Sequence, residues 1–281
     1  MMPPRILFQV LACCLVLGAV SAEPSGNKLR YTRGGDYRIE VSREILSSIP
    51  DTPSMPGKHR DQIKMRLSES VEKDHLCMRV RRLELDAQKD GLSVDTPGQS
   101  EAAELKFDYA FDVLGLLGPG VANSNDFDGA AWSRLAPLAD LILGLGVFGL
   151  PRLPKAEVVV GDVWVGERKM NLSVPGAPGL VMKLISRYKV AGRAACSAKR
   201  CLRIEEELDL LGSEQRAWRL MNVQLDVDGK GRAEHVFDVS GGRLVSSHVH
   251  WKAKIELRQI FSTTPLPLHT VSQIELEYSK M

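Results

Sequence analysis

The feature that most constrains this chain is a period-two alternation of apolar and polar side chains that recurs along most of its length. Tyr37, Ile39, Val41 and Ile45 share one parity, with Arg38, Glu40, Ser42 and Glu44 on the other. Ile63, Met65 and Leu67 alternate with Lys64, Arg66 and Ser68, and Leu105, Phe107, Tyr109 and Phe111 with Lys106 and Asp108. Such spacing puts one face of a strand in a core and the other in water, the mark of antiparallel sheets. The longest run comes late: Val245, Ser247, Val249, Trp251, Ala253, Ile255 and Leu257 oppose His248, His250, Lys252, Lys254, Glu256 and Arg258. A strand of that length predicts strong curvature, because twist accumulates along it. Turn chemistry divides the runs at Arg33 to Gly35, Asp90-Gly91, Pro175 to Gly179, Asp228-Gly229 and Ser240 to Gly242. About ten or eleven strands result, mostly joined as hairpins.

Two stretches break the pattern. Residues 115–128, rich in Gly, Asn and Asp, read as a loop, and Ser48 to Arg60, with three prolines, as a surface loop. Residues 131–149 are the one good helical segment. Leu135, Leu138, Leu141, Ile142, Leu145, Val147 and Phe148 cover nearly its whole circumference, with Asp140 the only charge after Arg134. A helix apolar all round must be enclosed. The expected fold is therefore mainly β, a curved antiparallel sheet or half-barrel of about ten or eleven strands wrapped around one apolar plug helix near 131–149. No internal repeat or long linker divides residues 23–281, which read as one domain.

Residues 1–22 read as a cleavable secretory signal peptide. Arg5 gives a basic start, Ile6 to Ala19 an apolar stretch of about fourteen residues, too short for a membrane span, and Val20, Ser21 and Ala22 a small-residue cleavage site. A lipoprotein signal with Cys13 or Cys14 lipidated would leave an apolar core of only about seven or eight residues. The expectation is export to a periplasm or beyond, with lipid anchoring the alternative. The formal net charge of +2 and the lack of a basic stripe interleaved with aromatics exclude a nucleic-acid surface. No second apolar run suggests an integral span. Cys77, Cys196 and Cys201 remain after cleavage. Cys196 and Cys201 bracket four residues, a spacing that sets them opposite one another at the neck of a hairpin loop, and an oxidising compartment favours a local disulfide. Half of a metal site would need further Cys or His ligands, and none is near. Cys77 is left over as a small buried hydrophobe.

Short motifs carry a resemblance over roughly Leu76 to Leu257. Gly161, Asp162, Val163 and Trp164, then Tyr188 to Gly192, then Phe237, Asp238, Gly242, Arg243, Leu244, Ser246 and Ser247 resemble an uncharacterised family of exported bacterial proteins. In that family a G-D-x-W strand, a Y-x-V-x-G hairpin and a final F-D…G-R-L…S hairpin recur in this order. The resemblance implies a half-barrel similar to the lipoprotein carriers of the LolA, LppX and LprG type, in which a curved sheet wraps a helical plug and can hold acyl chains. It brings no catalytic residues. The same elements also make sense as turn and strand chemistry alone.

Few constellations suggest chemistry. With Gly241-Gly242 as a two-residue turn, His235 would lie opposite His248, with His250 two residues on, and three imidazoles could meet a metal. Alternation, however, assigns His248 and His250 to the solvent face. No Gly-x-Ser-x-Gly elbow supports a hydrolytic triad. Glu205, Glu206, Glu207 and Asp209 are split over two strand faces, and Asp226 and Asp228 before Gly229 read as a hairpin turn rather than a calcium loop. The glycines from Gly115 to Gly120 lack the Lys-Ser/Thr of a phosphate loop. Asn171, Leu172 and Ser173 form a glycosylation sequon, meaningful only in a eukaryotic source. Trp132, Trp164 and Trp251 read either as core aromatics or, with Leu135, Leu138, Ile142, Leu145 and Phe148, as the lining of an apolar pocket between sheet and helix. The expectation is a non-enzymatic exported protein without a cofactor that binds a lipid, an acyl chain or a lipidated envelope partner. The alternatives are an interaction module with a filled core and a protein that binds metal through its histidines.

Overall fold

In the computed structural model, residues 26–32, 34–48, 57–72, 75–94, 101–112, 114–115, 117–132, 135, 139, 149–172, 180–197, 200–218, 221–259 and 268–280 are described. The alternating segments form one antiparallel sheet of twelve strands: β1 (Asp36–Ser48), β2 (Gly57–Glu72), β3 (His75–Lys89), β4 (Leu92–Val94), β5 (Lys106–Phe111), β6 (Leu117–Ala122), β7 (Val163–Leu172), β8 (Leu180–Ala194), β9 (Cys201–Trp218), β10 (Met221–Asp238), β11 (Arg243–Gln259) and β12 (Leu268–Lys280). Eleven run in the order β6-β5-β3-β2-β1-β12-β11-β10-β9-β8-β7, with β4 a short addition to β3. Most neighbours are hairpin partners, and the pairing of β1 with β12 joins the two ends of the chain into one sheet. β6 and β7 are its two edges and do not pair with one another, so the sheet is open.

The sheet is curled so that its ends face each other across one core. β5 and β10 stand six positions apart, which would be about 29 Å in a flat sheet. Yet the ring of Tyr31 lies 5.4 Å from that of Phe111 on β5 and 5.3 Å from that of Phe237 on β10. The inward file of each strand supplies the core, with Ile39, Leu67, Val80, Phe107, Leu184, Ile204, Leu225 and Trp251 at most 2% exposed.

Several sequence expectations change in detail. Leu117–Ala122, within the segment read as a Gly-rich loop, is strand β6. Its Pro119 is tolerated because β6 is an edge, where a missing N–H breaks no internal ladder. β2 begins at Gly57 and takes in the end of the proline-rich segment read as a loop; residues 49–56 lie outside the described ones. Asp228-Gly229 is not a turn. Both lie mid-strand in β10, and a Cβ at Gly229 would stand 2.7 Å from Cβ of Ala253. Glycine is there for close packing across the sheet. Asp90-Gly91, by contrast, closes the β3–β4 hairpin with both residues at positive φ, 53° and 81°.

Residues 129–132, 135, 139 and 149 are helical, within and just ahead of the span read as the plug helix; its other residues lie outside the described ones. The helix begins two residues earlier than expected, because the Asp128 side chain accepts the Ala131 N–H at 2.7 Å as an N-cap. Leu135 and Ala139 are buried. Among the described residues no helix is long and apolar enough to cross a membrane.

Cys196 and Cys201 form the disulfide, with Cα atoms 6.3 Å apart. They are not opposite in register. Ala194 pairs with Cys201, and Cys196 folds back from the loop beyond β8. Cys77 is half-buried and sits on the outward file of β3, with its thiol 3.8 Å from the Asp108 carboxylate rather than in the core. Burial first, then the Asp108 charge, raise its pKa.

Candidate functional site

The inward files contain a few polar residues that interrupt otherwise apolar columns. Alternation places Arg168 in line with Trp164 on β7, Tyr188 with Leu184 and Val190 on β8, Glu206 with Ile204 and Leu208 on β9, His235 with Ala233 and Phe237 on β10, and Ser247 with Val249 and Trp251 on β11. Because these strands are neighbours, the side chains meet. His235 Nε2 lies 2.6 Å from Glu206 Oε2, and Ser247 Oγ lies 2.9 Å from His235 Nδ1. Arg168 Nη2 stands 3.7 Å from Glu206 Oε1 and donates to the Tyr188 hydroxyl at 3.4 Å. All five are at most 4% exposed.

A charge buried this deeply requires partners. Burial is the largest single influence on Glu206 and would raise its pKa. The His235 hydrogen bond and charge, with Arg168, together outweigh it and hold the carboxyl below its ordinary value. The Tyr188 hydroxyl is pushed up to about 12, first by burial and then by the Glu206 charge, so it stays protonated.

The network holds an irregular strap. Residues 150–153 follow helical Gly149 and run through the core without a ladder, so their backbone groups need other partners, most of them side chains. Arg168 Nη1 donates to the Leu150 carbonyl, a charge-assisted bond to a buried backbone acceptor. Tyr31 donates its hydroxyl to the Pro151 carbonyl at 3.0 Å, Trp164 Nε1 to the Arg152 carbonyl at 2.7 Å, and Arg152 N to the Tyr188 hydroxyl at 3.1 Å. Leu153 N reaches the Leu114 carbonyl at 2.7 Å, just beyond β5. The strap thus touches both flanks of the open sheet. At Gly115, φ is 82° and an added Cβ would stand 2.8 Å from the Pro151 carbonyl oxygen, so only glycine lets the strap approach.

The chain Ser247–His235–Glu206 has the order of an acid–base relay, but its ends are sealed. A nucleophile needs a reacting atom within about 3.5 Å, and Ser247 and His235 are both fully buried among core side chains. What the arrangement does is position the strap.

The three histidines do not converge. A four-residue turn, Val239 to Gly242, and an irregularity between Val236 and Phe237 pair His235 with Ser247, while His248 pairs with Glu234. This one-residue change from the expected register puts His235 on the inward face, whereas His248 and His250 are exposed on the outward one. Among the described residues no three His, Cys, Asp or Glu are grouped to hold a metal. Of the expected pocket lining, four residues are described. Trp251 is fully buried, Leu135 is buried, Trp164 stacks on Tyr188 at 5.2 Å beside the strap, and Trp132 stacks on Phe127 at 6.1 Å. Leu138, Ile142, Leu145 and Phe148 lie outside the described residues. Sequence reading missed Arg168, Tyr188 and Glu206 as one inward cluster, although their parity with apolar neighbours was the available signal.

Fold and site together define an open antiparallel β-sheet curled over an apolar interior and bridged by a strap pinned to buried charges. No family model matches the chain, and no curated protein matches it. Among solved structures it is similar to one described as "Lipid-protein interactions in lipovitellin", with a TM-score of 0.46 and 13% identity, covering 89% of this chain and 25% of that one. The chain thus spans a quarter of that protein's length. At that level the likeness carries no conclusion about what this chain binds.

Proposed function

We propose that this chain is an exported, non-enzymatic protein that holds an apolar ligand, a lipid or an acyl chain, against the inner face of its curled sheet, as a carrier of the LolA-like type would. The observation that carries the reading is the open sheet. Its apolar inward files enclose an interior whose two flanks are joined, where β6 and β7 do not pair, by a strap held through side chains and one backbone bond just beyond β5. Isolated hydrogen bonds to an irregular segment can part without breaking a ladder, which gives an acyl chain a way in beside the strap. Apolar contact alone retains such a ligand, at about 0.8 kcal/mol per buried methylene. Residues 1–22, read as a signal peptide, and the Cys196–Cys201 disulfide support an oxidising destination.

A second reading is an interaction module with a full core. It is favoured by the packing of the described inward side chains, since Leu184, Tyr188, Ile204, Leu210, Leu225 and Trp251 are fully buried against other protein groups. Native mass spectrometry of the protein purified from the secretory path of its host separates the two. A lipid-sized mass that is released on denaturation and identified in the solvent extract is expected; a bare polypeptide mass with one stoichiometric protein partner would support the module instead.

A further inference from the structure

The outward face of β1, β2 and β3 carries an arrangement that sheet stability disfavours. In register, Arg38 stands opposite Arg66, and Arg66 opposite Arg82, so three guanidinium-bearing residues form one row across three strands. Side chains directly opposite have Cβ atoms about 5 Å apart, and like charges there repel. The adjacent row is built differently: Glu40, Lys64 and Glu84 alternate in sign. Its two carboxylates do not neutralise the whole row of arginines. Glu40 pairs with Arg38 along its own strand, and Glu84 with Arg82 at 2.6 Å, leaving Arg66 between them without an ion pair among the described residues. Lys64 is likewise left without one. Arg38, Lys64, Arg66, Arg82 and Glu84, with Met65 beneath, line an open cleft of about 120 Å³.

We infer that this cleft is an anion site for a phosphate group, with Arg66 as the central ligand and Lys64, Arg38 and Arg82 around it. A guanidinium presents paired N–H donors that match two oxygens of a tetrahedral phosphate, and a bound anion turns the repulsive row into a set of charge-assisted hydrogen bonds. The site faces away from the core and stands independently of what the inner face holds. The phosphate is either free or part of an anionic lipid headgroup, and both sources offer the pair of unesterified oxygens that a guanidinium fork binds.

The test is carried out on the full chain with two probes at low ionic strength, where exposed charges are least screened. Inorganic phosphate is titrated by calorimetry, and co-sedimentation is measured with phosphatidylglycerol/phosphatidylcholine vesicles against vesicles of phosphatidylcholine alone. Saturable binding of phosphate, or retention only by the phosphatidylglycerol vesicles, is expected, and which of the two occurs names the source. Arg66→Gln is expected to weaken that binding at least tenfold and Arg66→Lys to weaken it less, while Lys230→Gln, an exposed cation on β10, leaves it unchanged. The Tm of unliganded Arg66→Gln is expected to be no lower than that of the parent, which separates lost binding from lost folding. Failure of both probes to bind, or Arg66→Gln binding as tightly as the parent, would overturn the assignment.

Discussion

Glu206→Ala is expected to destabilise the fold by about 3–5 kcal/mol, the range for removing one partner of a buried charge pair. The loss has an identifiable origin. Glu206 is 2% exposed and faces His235 at 2.6 Å and Arg168 at 3.7 Å, so truncation leaves a guanidinium in the core without its carboxylate. Arg168 also holds the Leu150 carbonyl, so the strap is expected to loosen with it. Urea unfolding followed by tryptophan fluorescence measures the first effect, and hydrogen exchange at Arg152 and Leu153 the second. The same residue sets a pH dependence. Its carboxyl is held below the ordinary value in the folded protein, so the stabilisation is complete above the unfolded value of about 4.3 and is lost as pH falls through the folded one. Acid unfolding below about pH 4.3 is therefore expected to be steeper in the parent than in Glu206→Gln, which has no proton to take up.

Trp251→Ala is expected to cost a similar amount, about 3–5 kcal/mol. Trp251 is fully buried near the middle of the long strand β11 and pairs directly with Gly231 on β10. A Cβ at Gly231 would stand 2.5 Å from Cβ of Trp251 and 2.6 Å from Leu208 Cδ1, so the sheet has been left bare there to admit the indole. Truncation therefore opens a cavity that a flanking glycine cannot fill. Trp251→Phe retains much of the contact and is expected to cost less. An unchanged urea m-value would attribute the difference to the folded state.

The sheet was legible in the sequence because alternation is a direct consequence of one buried and one wet face. The parity assigned to β11, with Ser247, Val249, Trp251 and Ala253 inward and His248, His250, Lys252 and Lys254 outward, is the parity observed. Registers were less legible. Asp228-Gly229 mimics a turn, but its glycine answers to Ala253 across the sheet, a contact some 24 residues away that no local pattern encodes. The turn at Val239 to Gly242 is closed by the Asp238 side chain, which accepts the Gly241 N–H at 2.8 Å, and a bulge then restores the pairing, so His235 meets Ser247. A single-residue offset of this kind decides whether a histidine points at water or at a buried glutamate. The buried network was half visible: splitting the run Glu205 to Glu207 by parity puts Glu206 inside, but the other members of the network come from four other strands whose order the sequence does not state.

The most direct measurement is photolabelling with a diazirine-bearing fatty acid, followed by peptide mapping of the adducts. If the curled sheet holds an apolar ligand, label is expected on the inward side, at Trp132, Leu135 and Ala139, with saturation at one equivalent and competition by unlabelled fatty acid. Label confined to the exposed outward residues Val160, Val163 and Val165, or none that saturates, would contradict it.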